Sequence, residues 1–224
     1  MRTLLVRYTV FILSTLALSA CSTLERKAAV PASDLTRAQI AGMQSSRYLI
    51  ATSAGINSFV DDVNQLNKRL GKTVLDGKSN YLSLSGGGDN GAFGAGLLVG
   101  WTEQGTRPEF NLVTGISTGA LIAPFAYLGK DYDPVLTEVY TKVKPSDIFK
   151  SRGFLSGFFG DGLADTSPLF QLISKHVTAD FLKKVAHEYN NRGRWLLIGT
   201  TNIDASSSHL LYRQWCRALT GGSI

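Results

Sequence analysis

The sequence is poor in the residues that build metal sites and disulfide frameworks. It holds two cysteines and three histidines among 224 residues, and the histidines are spaced 11 and 22 residues apart. Two cysteines cannot form a disulfide scaffold or a four-cysteine zinc site, and this histidine spacing matches no metal-binding motif. We therefore expect no metal site.

Charge is also scarce, which argues against a nucleic-acid partner. Charged residues make up 18% of the chain, and the formal net charge is +6. The basic residues of segments 142–152 and 183–194 are interleaved with acidic ones, and no aromatic series accompanies them. With 44% hydrophobic residues and 23 glycines, the composition excludes disordered, collagen-like and coiled-coil chains. The length suits one domain with a small appendage.

The first twenty residues have the pattern of a signal peptide. Arg2 and Arg7 precede an uncharged, largely apolar run over 8–20, which is too short to span a bilayer comfortably. The run ends in Leu-Ser-Ala-Cys21, which resembles the lipobox of bacterial lipoproteins. We expect residues 1–20 to be removed and Cys21 to carry an acyl anchor in the membrane of the cell envelope. Ser22 is not Asp, which favours the outer membrane. An ordinary secretory signal is the alternative.

Residues 21–55 are predicted to form a tether and an N-terminal helical segment, and residues 56–224 the main domain. Apolar residues at helical spacing predict a helix over 56–70 that ends at Gly71, with Asp62 on its surface. This helix precedes the part of the sequence that carries the glycine motifs.

A strand, a tight turn and a helix then follow one another twice. The first set is a strand at 81–85, a glycine loop at 86–91 and a helix at 92–104; the second is a strand at 110–114, a turn at 115–119 and a helix at 120–128. Helices starting at Ser167 and Thr178 precede an apolar strand at 195–200. This order predicts an α/β fold with a parallel sheet.

The second turn has the form of a nucleophile elbow, Gly115-x-Ser117-x-Gly119. A serine on a sharp strand-to-helix turn presents its hydroxyl, and the flanking glycines remove side chains that would collide with neighbouring elements. Ser117 is therefore the candidate nucleophile, and the helix after it places a positive dipole end near a developing oxyanion.

The first turn admits two interpretations. Gly86-x-Gly88-x-x-Gly91 follows a strand and opens a helix, as in dinucleotide-binding proteins, and Glu109 stands near the spacing of a ribose-binding acid. The alternative is an oxyanion hole made by main-chain N–H groups. Ser117 favours the oxyanion hole, because the carboxyl ends of neighbouring parallel strands bring both turns to one edge.

These motifs together resemble the patatin-like phospholipase family. The resemblance rests on Ser85–Gly96 and on Thr114–Ala120, with further similarity at 160–169 and 197–202, and covers about 80–205. It implies a three-layer α/β/α sandwich with a mainly parallel central sheet, and serine hydrolysis of lipid esters without metal or organic cofactor. By the same resemblance, Gly86, Gly87 and Gly88 form the oxyanion hole and Ser117 is the nucleophile.

The family's catalytic aspartate, in Asp-Gly-Gly or Asp-Gly-Ala, has no counterpart at the expected position. The residues after 205 look unlike the family and lack a strand pattern, so we expect a truncated or frameshifted chain with an incomplete sheet and doubtful activity. Substitute bases would be found among four residues: Asp161, Asp165, Asp204 and His209. Two alternatives stay open: a catalytically silent envelope lipoprotein that binds or scaffolds, and a nucleotide-binding domain.

Overall fold

The structure, a computed structural model, describes residues 30–34, 37, 47–142, 150–151, 164–165, 167–202 and 207–212. Its strands are β1 (Arg47–Tyr48), β2 (Tyr81–Leu84), β3 (Leu112–Ile116), β4 (Lys150–Ser151), β5 (Ala164–Asp165), β6 (Trp195–Asn202) and β7 (Ser207–Tyr212). Its α-helices are α1 (Ser53–Leu70), α2 (Gly91–Glu103), α3 (Thr118–Leu128), α4 (Asp133–Lys142), α5 (Ser167–His176) and α6 (Ala179–Arg192).

The chain divides into two compact units. One comprises residues 29–143 and 173–224, and it contains the large sheet. The other comprises residues 1–28 and 144–172, and in its described part β4 pairs with β5 in antiparallel orientation.

The large sheet has five strands in the order β1-β7-β6-β3-β2. β2, β3 and β6 are parallel, whereas β7 runs antiparallel to β6 and β1 antiparallel to β7. The predicted α/β class with a parallel centre is confirmed. The expectation that the tail lacks a strand is wrong, because β7 pairs along Leu197–Asn202 of β6. The first residues of β7 are too polar for the sequence pattern to predict a strand. Pairing with β6 determines the conformation of β7 instead.

Helices cover both faces of this sheet, which gives the predicted three layers. Neighbouring residues of β3 point to opposite faces, Leu112 to one and Val113 to the other. On the Val113 side the core is built from α2, α3, α4 and α6, and on the Leu112 side from α1, β1, β6 and the end of α6. Burying each large apolar side chain contributes about 1.5–3 kcal/mol.

Helix α1 forms where the apolar spacing predicted it, with an additional turn at its start. The Thr52 hydroxyl caps the helix by accepting a hydrogen bond from the Gly55 N–H at 3.1 Å, and Gly71 ends it with φ 63°. Asp62 was expected on the surface, but it is buried and accepts a hydrogen bond from the Tyr48 hydroxyl. It lies on the flank of α1 that meets β1, and apolar periodicity cannot reveal such a polar contact.

Candidate active site

The turn between β3 and α3 consists of Ser117 alone. Sequence spacing suggested a turn over 115–119, but Gly115 and Ile116 still pair with β6 and helix α3 begins at Thr118. Ser117 has φ 54° and ψ −124°, and among the described residues it is the one non-glycine residue with positive φ. A backbone held in so sparsely populated a region costs about 1–3 kcal/mol, and such residues cluster at functional sites.

The two glycines of this motif stand where the backbone of a neighbour leaves no room. A Cβ on Gly115 would lie 2.3 Å from the Gly119 carbonyl oxygen. A Cβ on Gly119 would lie 2.3 Å from the Leu84 carbonyl oxygen, at the end of β2. The start of α3 therefore packs directly on β2 and β3, and any side chain here would push the serine away from its place.

The Ser117 side chain is exposed. Its hydroxyl has no hydrogen-bond partner within the part of the chain that the structure describes. Helix α3 starts at the next residue, so its unpaired N–H groups and the positive end of its dipole lie beside the hydroxyl. This environment favours negative charge on an atom bonded to the serine oxygen.

The glycine loop after β2 lies against Ser117. A Cβ on Gly86 would lie 2.9 Å from the Ser117 Cβ and 3.5 Å from its Oγ. Gly87 and Gly88 have φ 154° and 55°, conformations that residues with a side chain rarely adopt. A short 3₁₀ turn, Gly88–Asn90, leads from them into α2. The structure thus brings together the two motifs that are separate in the sequence.

A hydroxyl pair that sequence reasoning missed lies behind the elbow. The Tyr140 hydroxyl on α4 lies 2.8 Å from the Thr118 hydroxyl at the start of α3. A Cβ on Gly91 would lie 2.3 Å from the same Thr118 oxygen and 3.0 Å from the Tyr140 ring. Burial raises the pKa of Tyr140, although the hydrogen bond with Thr118 opposes this, so the phenol stays protonated at neutral pH. A tyrosine on a helix face carries no sequence signal of such a polar contact.

Glu109, the candidate ribose-binding acid, lies at the opposite edge of the sheet. It precedes β3, whereas the glycine loop follows β2, so the parallel strands separate the two. Its carboxylate binds Arg192 and Arg194. Although partial burial acts to raise the pKa of Glu109, these arginines hold it below its usual value. Glu109 is therefore part of an ion-pair network and cannot serve a nucleotide bound at the glycine loop.

The structure describes the four candidate bases to different extents. Asp161 and Asp204 lie outside the described residues, as do the signal segment and Cys21, and Asp165 is described only by its place in β5. The backbone of His209 pairs with Thr200 of β6, two strands from β3 and at the edge where β3 ends. Strand spacing puts it roughly 10 Å from β3. None of the described carboxylate or imidazole groups bonds to the Ser117 hydroxyl.

The described residues lack two further features. They contain no group of three or more His, Cys, Asp or Glu side chains that could hold a metal ion. Of the helices in the described ranges, none has the length and hydrophobicity needed to cross a membrane.

The fold and the site together define a class of protein. A parallel sheet carries an exposed serine at a strained strand-to-helix turn, and a glycine loop lies against it: this is an α/β protein with nucleophile-elbow geometry. The chain belongs to the patatin-like phospholipase family, because the sequence model of that family matches residues 82–215, more than half of its length. The family is one of lipid acyl hydrolases. Its match extends beyond residue 205, where the resemblance had been expected to fade, and includes β7.

Comparison with curated proteins and with solved structures gave no match.

Proposed function

We propose that this chain is a serine hydrolase of lipid esters, with Ser117 as its nucleophile. The observation that carries the proposal is the contact between the two motifs: the Cβ position of Gly86 lies 3.5 Å from the Ser117 oxygen. A carbonyl group bound at this oxygen would therefore meet the glycine loop. Main-chain N–H groups of Gly86, Gly87 and Gly88 are the proposed donors to the oxyanion.

The reaction follows from these roles. The Ser117 oxygen attacks the carbonyl carbon of the ester, and a general base accepts the hydroxyl proton. The tetrahedral intermediate collapses, the C–O bond to the alcohol breaks, and the proton passes to the leaving oxygen. Water then attacks the acyl-enzyme by the same route and releases a fatty acid. The N–H groups at the start of α3 would stabilise the negative charge that develops in each addition step.

The proposed reaction also needs a general base. Four residues are candidates: Asp161, Asp165, Asp204 and His209. A serine without a base reacts slowly, since general base catalysis contributes typically about 10²–10⁴-fold. A substitution of each candidate, Asp to Asn and His to Gln, will identify the base as the variant whose labelling rate falls by this factor.

Labelling with a fluorophosphonate probe tests the nucleophile. We expect the purified 224-residue chain to be labelled, and Ser117→Ala to lose the label. Ser58→Ala is the matched control, because Ser58 is an exposed serine on α1 whose hydroxyl only bonds the Ala54 carbonyl. Folded wild-type protein that takes no label, or a label that persists in Ser117→Ala, contradicts the proposal.

A silent binding module is the second candidate. It is favoured by one observation: none of the described acidic or imidazole side chains forms a hydrogen bond with the Ser117 hydroxyl. This alternative would be supported if folded wild-type protein takes no fluorophosphonate label and still binds phospholipid vesicles.

We further propose that the mature chain is a lipid-anchored protein of the bacterial cell envelope, at the outer membrane. The support is the sequence Leu-Ser-Ala-Cys21 at the end of the apolar N-terminal run. Several acyl chains on Cys21 would hold the domain at a membrane, because each buried CH₂ contributes about 0.8 kcal/mol. The substrate and the enzyme would then share one surface.

A further inference from the structure

The Thr118–Tyr140 pair lies behind the elbow, and Thr118 is part of the elbow motif itself. Thr118 is buried and is the first residue of α3, directly after Ser117. The Tyr140 hydroxyl lies 2.8 Å from its hydroxyl and 3.5 Å from its carbonyl oxygen. One phenol on α4 thus reaches the hydroxyl and the carbonyl oxygen of the residue that follows Ser117.

The same pair contacts the helix that follows the glycine loop. Gly91, the first residue of α2, leaves the space that the Thr118 side chain and the Tyr140 ring occupy, since a Cβ there would overlap both. Helix α4 packs against α2 and α3. The pair is therefore a shared contact between the start of α2 and the start of α3.

The backbone of Ser117 needs such a contact. A residue at φ 54° and ψ −124° relaxes to a commoner conformation unless its surroundings prevent it. Relaxation at Ser117 would rotate the peptide that joins it to Thr118. The hydrogen bonds between Tyr140 and Thr118 oppose that rotation, because they hold the hydroxyl and the carbonyl group of Thr118 in place.

We propose that Tyr140 is a positioning residue, whose hydroxyl acts through Thr118 to hold the Ser117 oxygen against the glycine loop. The inference rests on the proposed function for its catalytic consequence. Its structural part, the restraint on the turn, does not need the serine to be reactive. The two parts can therefore be measured separately.

The first measurement is the rate of fluorophosphonate labelling and of p-nitrophenyl ester turnover. We expect Tyr140→Phe, which keeps the ring and loses the hydroxyl, to lower the labelling rate and kcat by about 10- to 100-fold, as for a displacement near 1 Å. KM is expected to change by less than about twofold, because substrate contacts stay. Tyr132→Phe is the matched control, since its hydroxyl, 3.3 Å from the Lys184 ammonium, lies outside the site.

Thr118 supplies the test of coupling. Thr118→Val removes the partner hydroxyl and is expected to lower the rate as much as Tyr140→Phe does. The double variant is expected to lose no more than either single one, and Thr118→Ser, which keeps the hydroxyl, to restore most of the rate. Additive losses in the double variant would mean that Tyr140 does not act through Thr118 and would overturn the inference.

The second measurement is amide hydrogen exchange at Ala120 in the full chain, because the Ala120 N–H donates to the Ser117 carbonyl oxygen at 2.9 Å. We expect exchange at the start of α3 to be faster in Tyr140→Phe and unchanged in Tyr132→Phe. If the wild type takes no label, the proposed function fails, and exchange alone decides the inference about Tyr140. Unchanged exchange in Tyr140→Phe overturns the inference, whether or not the wild type is labelled.

Discussion

At the scale of single residues, the glycines of the site are defined by what surrounds them. Around Gly119 the nearest atoms are the carbonyl oxygens of Leu84 and Ser85, which belong to backbone and cannot turn aside. Gly96 of α2 has nothing within 4 Å of its Cβ position. The same residue type is therefore required at one position and optional at the other.

We expect Gly119→Ala to lower the free energy of unfolding by about 3 kcal/mol, because the new methyl group overlaps main-chain atoms at 2.3 Å and 2.6 Å. Gly96→Ala is the control, and it is expected to stabilise the protein by up to about 1 kcal/mol, since alanine is the better helix former. Urea denaturation measures both. Equal stabilities of the two variants would contradict the packing described for α3.

The motif residues could be predicted from the sequence, and their supporting residues could not. Ser117 and the glycine loop can be recognised in the sequence because their glycines form spaced motifs, each between a predicted strand and a predicted helix. Tyr140 and Asp62 have the residue types of an ordinary helix face. Their partners, Thr118 and Tyr48, lie far away in the sequence, and only the packing of helices and strands brings each pair together.

At the scale of elements, the strands with strong local patterns were predicted and the two antiparallel strands of the large sheet were not. β2, β3 and β6 are each followed or preceded by a turn with a clear signal. β1 has two residues, and β7 begins with two serines. Both are strands because a neighbour offers them hydrogen bonds, and a single-sequence pattern does not contain that neighbour.

The elements are joined at the edge opposite the site by a buried guanidinium. Arg194 precedes β6, and its side chain donates to the Phe110 carbonyl oxygen at 2.8 Å, to the Tyr127 carbonyl oxygen and to Glu188 at 2.7 Å. Only 4% of this side chain is exposed, compared with 45% for Arg192, which binds the same two glutamates. The two arginines therefore differ in burial more than in ionic partners.

Arg194→Lys is expected to lower the free energy of unfolding by about 2–3 kcal/mol, because an ammonium cannot reach all of these acceptors and leaves buried carbonyl groups unsatisfied. Arg192→Lys is the control, with an expected loss under about 1 kcal/mol. Chemical denaturation of both variants at neutral pH makes the comparison. A loss from Arg194→Lys no greater than that from Arg192→Lys would show that the ion pairs, rather than the buried fork, stabilise this edge.

At the scale of the whole molecule, the proposed anchor determines where the site works. We expect the chain, produced in a bacterial host, to incorporate radiolabelled palmitate and to lose the label in Cys21→Ser. Cys216→Ser is the control, because it removes the other cysteine and leaves the Leu-Ser-Ala-Cys21 motif intact. A label retained by Cys21→Ser would contradict the lipoprotein assignment.

The pairing of β1 with β7 also governs how the chain folds. Arg47 lies opposite Leu211, so about 160 residues separate the two strands in the sequence. The parallel centre assembles from segments that are closer together, whereas β1 has no partner until β7 has formed beside β6. Closing so long a loop has an entropic cost that local contacts do not offset. The pairing of β1 is therefore expected to be a late folding event, and before it occurs β7 is an unprotected edge to which another chain can add.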